Sequence, residues 1–364
     1  MIGYLKQYID QSDIDAVVEV LKSDTLTGGA IVDEFEENLS KYTGFKYCSV
    51  VNSETAALHS ALFTAGIMEG DEVIIPSITF TATANAVCYL GAKPIFCDVN
   101  ESLLINPYII ENLVTPKTKA VITVDMGGQL VDYQIIKSIC KKHNLVFISD
   151  SCHAFGAITK KSKIARPDII CYSFHSSKNM TTGEGGAVLT DNLFYNTLIN
   201  SFINHGMYKV FDNKQLHIGY NYRMSDINAA LGNSQLKKID KFIIRRKEIA
   251  NRYLKAFEKM VNVKVVRQQF ENVWHLFIIK TRNRDKFIEY MRANNIMCVV
   301  HYPPVYDHPY HKKSCVNCPY TASIYDQIVS IPIFYTLSEG EQSLIISKII
   351  NWENNMHMLI NDDV

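Results

Sequence analysis

Three short stretches of the chain carry polar side chains of kinds that can do chemistry. In "VVNSETAAL", Asn52, Ser53 and Thr55 stand between an apolar run and a helical pattern. A helix that starts there leaves backbone N–H groups unpaired and turns the positive end of its dipole outward, which attracts a phosphate. In "LVFISDSCHAFGA" an apolar strand ends at Asp150, with His153 three residues on. In "CYSFHSSKNMTTGEGGA" another strand ends near Ser173 and leads to Lys178, ahead of a glycine-rich turn. An anion cradle, a carboxylate, an imidazole and a primary amine are parts of acid–base and nucleophilic chemistry on an anionic ligand. Singly, each has an ordinary structural explanation: a helix cap, a turn residue, a satisfied histidine, a solvated lysine. What decides between the two readings is whether the fold brings them together.

The elements around them predict that it does. From 46 to 190, apolar runs of strand length alternate with helical patterns. "KYCSVV" precedes "ETAALHSALFTAG", where Ala57, Leu58, Ala61, Leu62 and Ala65 recur at helical spacing. "DEVIIPS", a helix near 81–90, "KPIFCDV", "KAVITVD", a helix near 132–143 and "LVFISD" follow, then "DIICYSF" and "GAVLT". Strands alternating with helices imply an α/β fold with a mostly parallel sheet covered on both faces. "GAVLT" follows its predecessor too closely for a crossover helix and is expected to return antiparallel. In such sheets ligands bind beyond the carboxyl ends of the strands, where all three polar stretches fall.

A helical stretch over 224–258 comes next, with Ser225 as its N-cap and Asp226 in its first turn. Beyond it, "VNVKVV", "VWHLFIIKT", a helix near 284–294, "MCVVHY" and a last helix near 338–355 predict a smaller α+β domain. The expected division is a large domain over 1–245 and a small one over 246–364.

A chain of 364 residues is long enough for two such domains. Lysine plus arginine equals aspartate plus glutamate, 37 each, so no basic surplus points to nucleic acid or an anionic membrane. The N-terminus lacks the apolar core of a signal peptide, and no apolar run reaches the roughly 20 residues of a membrane span. Nine scattered cysteines, several inside apparent strands, suit reduced thiols in the cytoplasm. "HPYHKKSCVNCP" places His308, His311, Cys315 and Cys318 close together. With one Cys-x-x-Cys pair alone, a surface loop is the better reading and no metal is expected.

Seven stretches in register resemble the DegT/DnrJ/EryC1/StrS family of sugar aminotransferases, fold-type I enzymes that use pyridoxal phosphate. They are "LTGGAIVDEFEENLSKYTG", "NSETAALHSAL", "GDEVIIPSITFTATANAVCYLGAKPIFCDV", "SDSCHAFGA", "SFHSSKNMTTGEGGAVLT", "NHGM" and "GYNYRMSDINAALGNSQLKKID". The resemblance implies a seven-stranded, mostly parallel sheet flanked by helices, with a smaller α+β C-terminal domain. It makes Lys178 the lysine that forms the internal Schiff base, and Asp150 the carboxylate paired with the pyridinium nitrogen. His153 matches a contact to the cofactor ring or its oxygen, and Phe80 the aromatic stacked on the other side. Ser53, Thr55, Ala56 through its backbone, and Ser173 match the phosphate cradle. Asn221 matches a residue that reaches the neighbouring subunit's phosphate, which implies a homodimer with shared sites. Physical chemistry agrees with these roles: a carboxylate favours the protonated ring on which the electron sink depends, and small neighbours such as Ser176, Ser177 and Gly183 leave room beside the amine.

The resemblance also bears on the amino acceptor. "TTGEGGA" favours amination at C4, and the N-terminal stretch looks like that of enzymes acting on UDP-linked 4-keto-6-deoxy sugars. The implied reaction moves the amino group of L-glutamate to a nucleotide-linked sugar (UDP or dTDP) in two half-reactions through pyridoxamine phosphate. Thr27, Glu184, Arg223 and His301 are the substrate-side candidates, with His205 behind them; Arg223 reads equally as a structural ion pair. A C3 or cyclitol aminotransferase and a non-catalytic cofactor-binding regulator are the alternatives; Lys178 argues against a lysine-free sugar dehydratase. Two positions depart from the family's pattern. Glu54 stands where glycine or alanine is common, so its side chain must turn away from the phosphate site or weaken it. Ser151 and Cys152 stand where alanine is frequent and are small enough to be tolerated.

Overall fold

The computed structural model describes residues 1–208, 214–268, 271–312 and 317–359, the last four of these by backbone alone. The apolar runs of the first half pair into one sheet: β1 (Tyr47–Val51), β2 (Glu72–Pro76), β3 (Lys93–Cys97), β4 (Thr118–Val124), β5 (Val146–Asp150), β6 (Ile169–Ser173) and β7 (Gly186–Thr190). Their order is β1-β7-β6-β5-β4-β2-β3. The period-two geometry of a strand sends Ile74, Val121 and Phe147 to one core and Val73, Ile75, Ile122 and Ile148 to the other. Both faces are therefore covered, as continuous Val/Ile runs require.

As expected from its short connection, β7 runs antiparallel to both neighbours, while the remaining pairs are parallel. Val51 at the end of β1 and Ser173 at the end of β6 both pair with Gly186 at the start of β7. One edge of the sheet thus gathers the carboxyl ends of six strands and the first residue of the seventh.

The first half also holds α1 (Gln11–Leu21), α2 (Ala30–Thr43), α3 (Glu54–Thr64), α4 (Thr81–Tyr89), α5 (Pro107–Ile110), α6 (Tyr133–His143) and α7 (Leu193–Phe202). Helix α3 is buried along most of its length, Ala56 through Leu62, and Ser53 caps it by accepting a hydrogen bond from Ala56 N at 3.2 Å. A short hairpin follows, β8 (Met207–Tyr208) with β9 (Lys214–Gln215).

The stretch 224–258 is not one helix but two, α8 (Asp226–Leu236) and α9 (Ile239–Phe257). At the break, Lys238 N donates to Gln235 O at 2.9 Å, and the Lys238 ammonium is held by Asp13 at 2.7 Å and Asp10 at 2.9 Å. The turn re-aims α9. Phe242 and Ile243 then pack with the sheet's core, and Ile249, Tyr253 and Phe257 with a third core. Asp226 performs a second long-range task. Helix α2 starts at Gly29, which has no capping side chain, and the buried Asp226 carboxylate accepts from Gly29 N at 2.9 Å and Val32 N at 3.1 Å. Asp226→Ala leaves both donors unpaired and is expected to cost about 2–3 kcal/mol, seen as a lower denaturant midpoint of the purified chain.

The third core belongs to an antiparallel sheet of β10 (Val263–Val265), β11 (Phe277–Thr281) and β12 (Ile328–Ile331), packed with α10 (Arg284–Ala293) and α12 (Glu339–Leu359); the short α11 (Pro319–Ile324) lies against the first core. The stretch "MCVVHY", read as a strand, makes only a bridge from Val299 to Ser330. The chain's first residues join this smaller unit: Ile2 N donates to Asn295 O at 2.8 Å, and Met297 N to Ile2 O at 2.9 Å.

Among the described residues no helix is long and apolar enough to cross a membrane. The eight described cysteines are unpaired, and all but Cys88 are buried. Of the four residues weighed for zinc, Cys315 lies outside the described residues. His311 packs edge-on against Phe96, and Cys318 Sγ donates to Phe96 O at 3.9 Å. Among the described residues no three His, Cys, Asp or Glu side chains are grouped to hold a metal.

Candidate active site

The sheet edge where β7 begins assembles the three polar stretches. The first turn of α3 starts directly beyond β1, and its leading N–H groups have no intrahelical acceptors. Gly186 lies against this turn. A Cβ there would stand 2.9 Å from Glu54 N and 2.8 Å from Tyr172 O, so only glycine lets β7 pass so close. Ser173, at the end of β6, faces the same place through its pairing with Gly186.

Asp150 ends β5 and is 2 % exposed. Its Oδ2 accepts from Thr83 Oγ1 at 2.8 Å and its Oδ1 from Cys152 N at 3.2 Å. Thr83 is in turn bonded to Thr79 at 2.8 Å, so the loop that carries Phe80 also orients Asp150. Phe80 itself is 55 % exposed, with its ring 5.6 Å from that of Tyr302.

His153 is buried. Gly127 N donates to its Nδ1 at 3.3 Å, which leaves the proton on Nε2, 3.2 Å from the Tyr302 hydroxyl. Its ring lies 4.4 Å from that of His275. Burial, then Lys178, then His301 drive its pKa well below the usual imidazole range. His275 is lowered likewise, by burial first and then His153 and Lys178, and burial takes His301 down to about 4. These imidazoles are neutral in the folded chain. Lys178, in the loop after β6, is electrostatically felt by Glu54, Cys152, His153, His275 and His301. It therefore sits amid the groups that end β5 and begin α3.

A pH prediction follows from these histidines. The unfolded chain takes up protons below about pH 6.5 that the folded chain refuses, so stability falls as pH drops from there toward 4. His275→Gln should flatten that fall by about 1.4 kcal/mol per pH unit, measured by denaturant unfolding at pH 6.5 and 5.

Other candidates stand further out. His301 does enter from the smaller unit, held by Ser330 Oγ at 2.9 Å. Asn221 is exposed on the rim, where its carbonyl accepts from Asn52 Nδ2 at 3.3 Å. Arg223 donates to Asn204 Oδ1 at 2.7 Å and lines a cavity of about 440 Å³ with Gly28, Asp33 and Glu36. Thr27 bridges to Ser225 near that cavity. Glu184 is exposed and 3.6 Å from His175, while its carbonyl accepts from Thr182 Oγ1 at 2.7 Å. His205 is exposed with a left-handed backbone, φ 59°. Of these residues only His301 is buried beside the cluster, where it acts on His153 and His275; the others do not join it.

Two members of the cluster carried no signal in the sequence. Tyr302 reaches His153 because the segment after it docks on the sheet, Val305 N donating to Ser77 O at 2.9 Å. His275 arrives on the loop before β11. Glu54 was visible as an anomaly. Its Oε1 is buried without a hydrogen-bond partner, and burial, then the Asp150 charge, raise its pKa well above the usual carboxylate range. Ser151 is more than tolerated: its Oγ donates to Asp125 Oδ2.

The donor set suits pyridoxal phosphate: an anion-binding helix start that a glycine keeps open, a carboxylate for a ring nitrogen, an amine for an aldehyde and an exposed aromatic ring at the mouth. The model of the DegT/DnrJ/EryC1/StrS aminotransferase family matches residues 7–350. A Campylobacter jejuni protein named UDP-4-amino-4,6-dideoxy-N-acetyl-beta-L-altrosamine transaminase is 37% identical over 326 residues, 86% of each chain. The Bacillus subtilis spore coat polysaccharide biosynthesis protein SpsC is 34% identical, covering 96% of each chain. Among solved structures, Helicobacter pylori PseC, an aminotransferase involved in the biosynthesis of pseudoaminic acid, superposes with a TM-score of 0.91 at 29% identity, over 97% of this chain and 99% of that one. With the family matched along nearly its whole length, the chain belongs to the DegT/DnrJ/EryC1/StrS aminotransferases and is a pyridoxal-phosphate-dependent enzyme of that fold.

Proposed function

We propose that the enzyme transfers the amino group of L-glutamate to C4 of a nucleotide-linked 4-keto-6-deoxyhexose, giving a 4-amino-4,6-dideoxy sugar nucleotide. The observation that carries the reading is Lys178 within reach of the same buried cluster as Asp150 and His153, beside an anion-binding helix start. The sugar nucleotide named for the Campylobacter jejuni relative supports the substrate class.

In this reading the N–H groups that open α3, with Ser53, Thr55, Ala56 and Ser173, hold the cofactor's phosphate. Bound there, the cofactor supplies an electron sink for charge that develops beside a substrate nitrogen. Asp150 would pair with the ring nitrogen, Phe80 would stack on the ring, and His153 would offer its neutral Nε2–H. The Lys178 amine holds the cofactor at rest. Once displaced, Nζ takes the proton from the α-carbon of the amino donor and later gives one to the acceptor carbon. The exposed Leu216, Ile218 and Tyr220 ahead of the rim residue Asn221 fit a homodimer in which each subunit's Asn221 completes its neighbour's phosphate site. Thr27, Glu184, Arg223 and His301 remain the groups proposed to meet the substrate.

The test is release of 2-oxoglutarate from L-glutamate across a panel of keto compounds. UDP- or dTDP-linked 4-keto-6-deoxyhexoses should support turnover. Activity confined to 3-keto sugars or keto-cyclitols would overturn the C4 assignment. Light scattering of the purified enzyme should give twice the mass of one chain.

A further inference from the structure

His153 has a partner that the proposed chemistry leaves without a task. The imidazole takes the Gly127 N–H on Nδ1, so its own ring hydrogen is on Nε2. The atom 3.2 Å from Nε2 is the hydroxyl oxygen of Tyr302. With the hydrogen on nitrogen, that oxygen is the acceptor. A phenol also carries one hydrogen of its own, which this contact does not use. Among the described residues the Tyr302 hydroxyl has no second hydrogen-bond partner, so its O–H is a donor without an acceptor.

The place of this donor is fixed. Tyr302 is half-buried, and its ring lies 5.6 Å from that of Phe80 and 6.1 Å from that of His153, stacked on the latter. Its segment is tied to the loop that carries Phe80: Val305 N donates to Ser77 O at 2.9 Å, and Pro304 bridges to Ile78. Two other hydroxyls of the neighbourhood are spent, Thr83 Oγ1 on Asp150 and Ser151 Oγ on Asp125. Burial pushes the Tyr302 pKa well above the usual phenol range, so the O–H is kept. Gly127 N–H, His153 Nε2–H and Tyr302 O–H thus form a chain of donors in which each acceptance strengthens the next. Such a chain suits an anionic oxygen at its end.

The roles given above supply one. They place the cofactor's phosphate at α3, its ring nitrogen at Asp150 and its aldehyde at Lys178. The polar atom left over is the ring oxygen. We propose that Tyr302 is a cofactor-binding residue that accepts the His153 Nε2–H and donates its own hydroxyl hydrogen to the ring oxygen of pyridoxal phosphate. The second half of the statement rests on the site reading above. The first half does not, and the two are tested separately.

The first test uses apoprotein labelled with ¹⁵N-histidine. A long-range ¹H–¹⁵N spectrum, assigned by the signals that vanish in His153→Gln, should show a bare Nδ1 and a protonated Nε2. A hydrogen on Nδ1 would make the phenol the donor to His153 and would overturn the proposal. The second test measures cofactor affinity by equilibrium dialysis at pH 7.5. Tyr302→Phe keeps the ring and its packing, and should bind pyridoxal phosphate about tenfold more weakly than the wild type. With 3-deoxypyridoxal phosphate, which lacks the ring oxygen, variant and wild type should bind alike. No loss with pyridoxal phosphate overturns the contact. An equal loss with both ligands does so too, because it assigns the effect to a displaced His153. If the wild type takes up no cofactor at Lys178, the second half falls with the site reading, while the spectrum still decides which of the two partners donates.

Discussion

Lys178→Ala yields a folded chain whose transamination rate is lower by about 10⁴-fold or more. The side chain has two tasks in the proposed reaction, holding the cofactor and carrying the proton at the donor's α-carbon, and no neighbour can take either over. His153, His275 and His301 are buried neutral imidazoles already committed to Gly127 N, the ring stack and Ser330. Lys178→Arg should fail as well, because a guanidinium stays protonated and cannot accept the proton. Two measurements check this: the rate of 2-oxoglutarate release, and borohydride trapping of the cofactor followed by peptide mass. The wild type should carry the added mass on the peptide that contains Lys178, and the alanine variant on none. A lysine-free variant with ordinary turnover would remove the amine from the mechanism.

Asp150→Asn is expected to lower the rate by on the order of 10³-fold, the equivalent of the 3–5 kcal/mol lost when one member of a buried charge pair is removed. The asparagine Oδ1 can still accept from Cys152 N while its Nδ2 donates to the Thr83 hydroxyl, so the end of β5 keeps its shape. What disappears is the negative charge opposite the ring nitrogen, and with it the protonated ring that accepts electron density. The loss should fall on kcat at saturating glutamate more than on KM, because the charge matters most where carbanion character develops. An unchanged kcat would place the ring nitrogen elsewhere.

The sheet was legible because a strand covered on both faces must be apolar at every position, and such runs bounded by turns stand out. The reversal of β7 was legible from chain length alone. The break between α8 and α9 was not. The apolar period continues through Lys237 and Lys238, and the turn depends on Asp10 and Asp13, more than 200 residues away in the chain. The same distinction runs through the site. Asp150, Ser173 and the start of α3 end or begin elements of the sheet, so topology alone brings them to one edge. Lys178 lies five residues beyond one of those ends. Tyr302 and His275 come from the smaller unit, and their arrival depends on how that unit docks, which no local pattern encodes. Glu54 lies between these cases. The residue broke the family's pattern and so drew notice, but the burial of its Oε1 depends on how the neighbouring strands pack around it, which no local pattern encodes.

The pairing of Ile2 with Asn295 and Met297 has a mechanical consequence. The smaller unit hangs from the larger by two covalent strands, the segment from Ile2 to α1 and the length of α9. Between them, Tyr8 packs on Phe242 and Tyr335 and so pins the first strand to the second. Further moorings lie at the site itself, where Val305 N is bonded to Ser77 O and Leu276 N to Gly127 O. The stretches that carry Tyr302 and His275 are thus stitched to the large sheet, and the Tyr302 hydroxyl is anchored where it meets the imidazole.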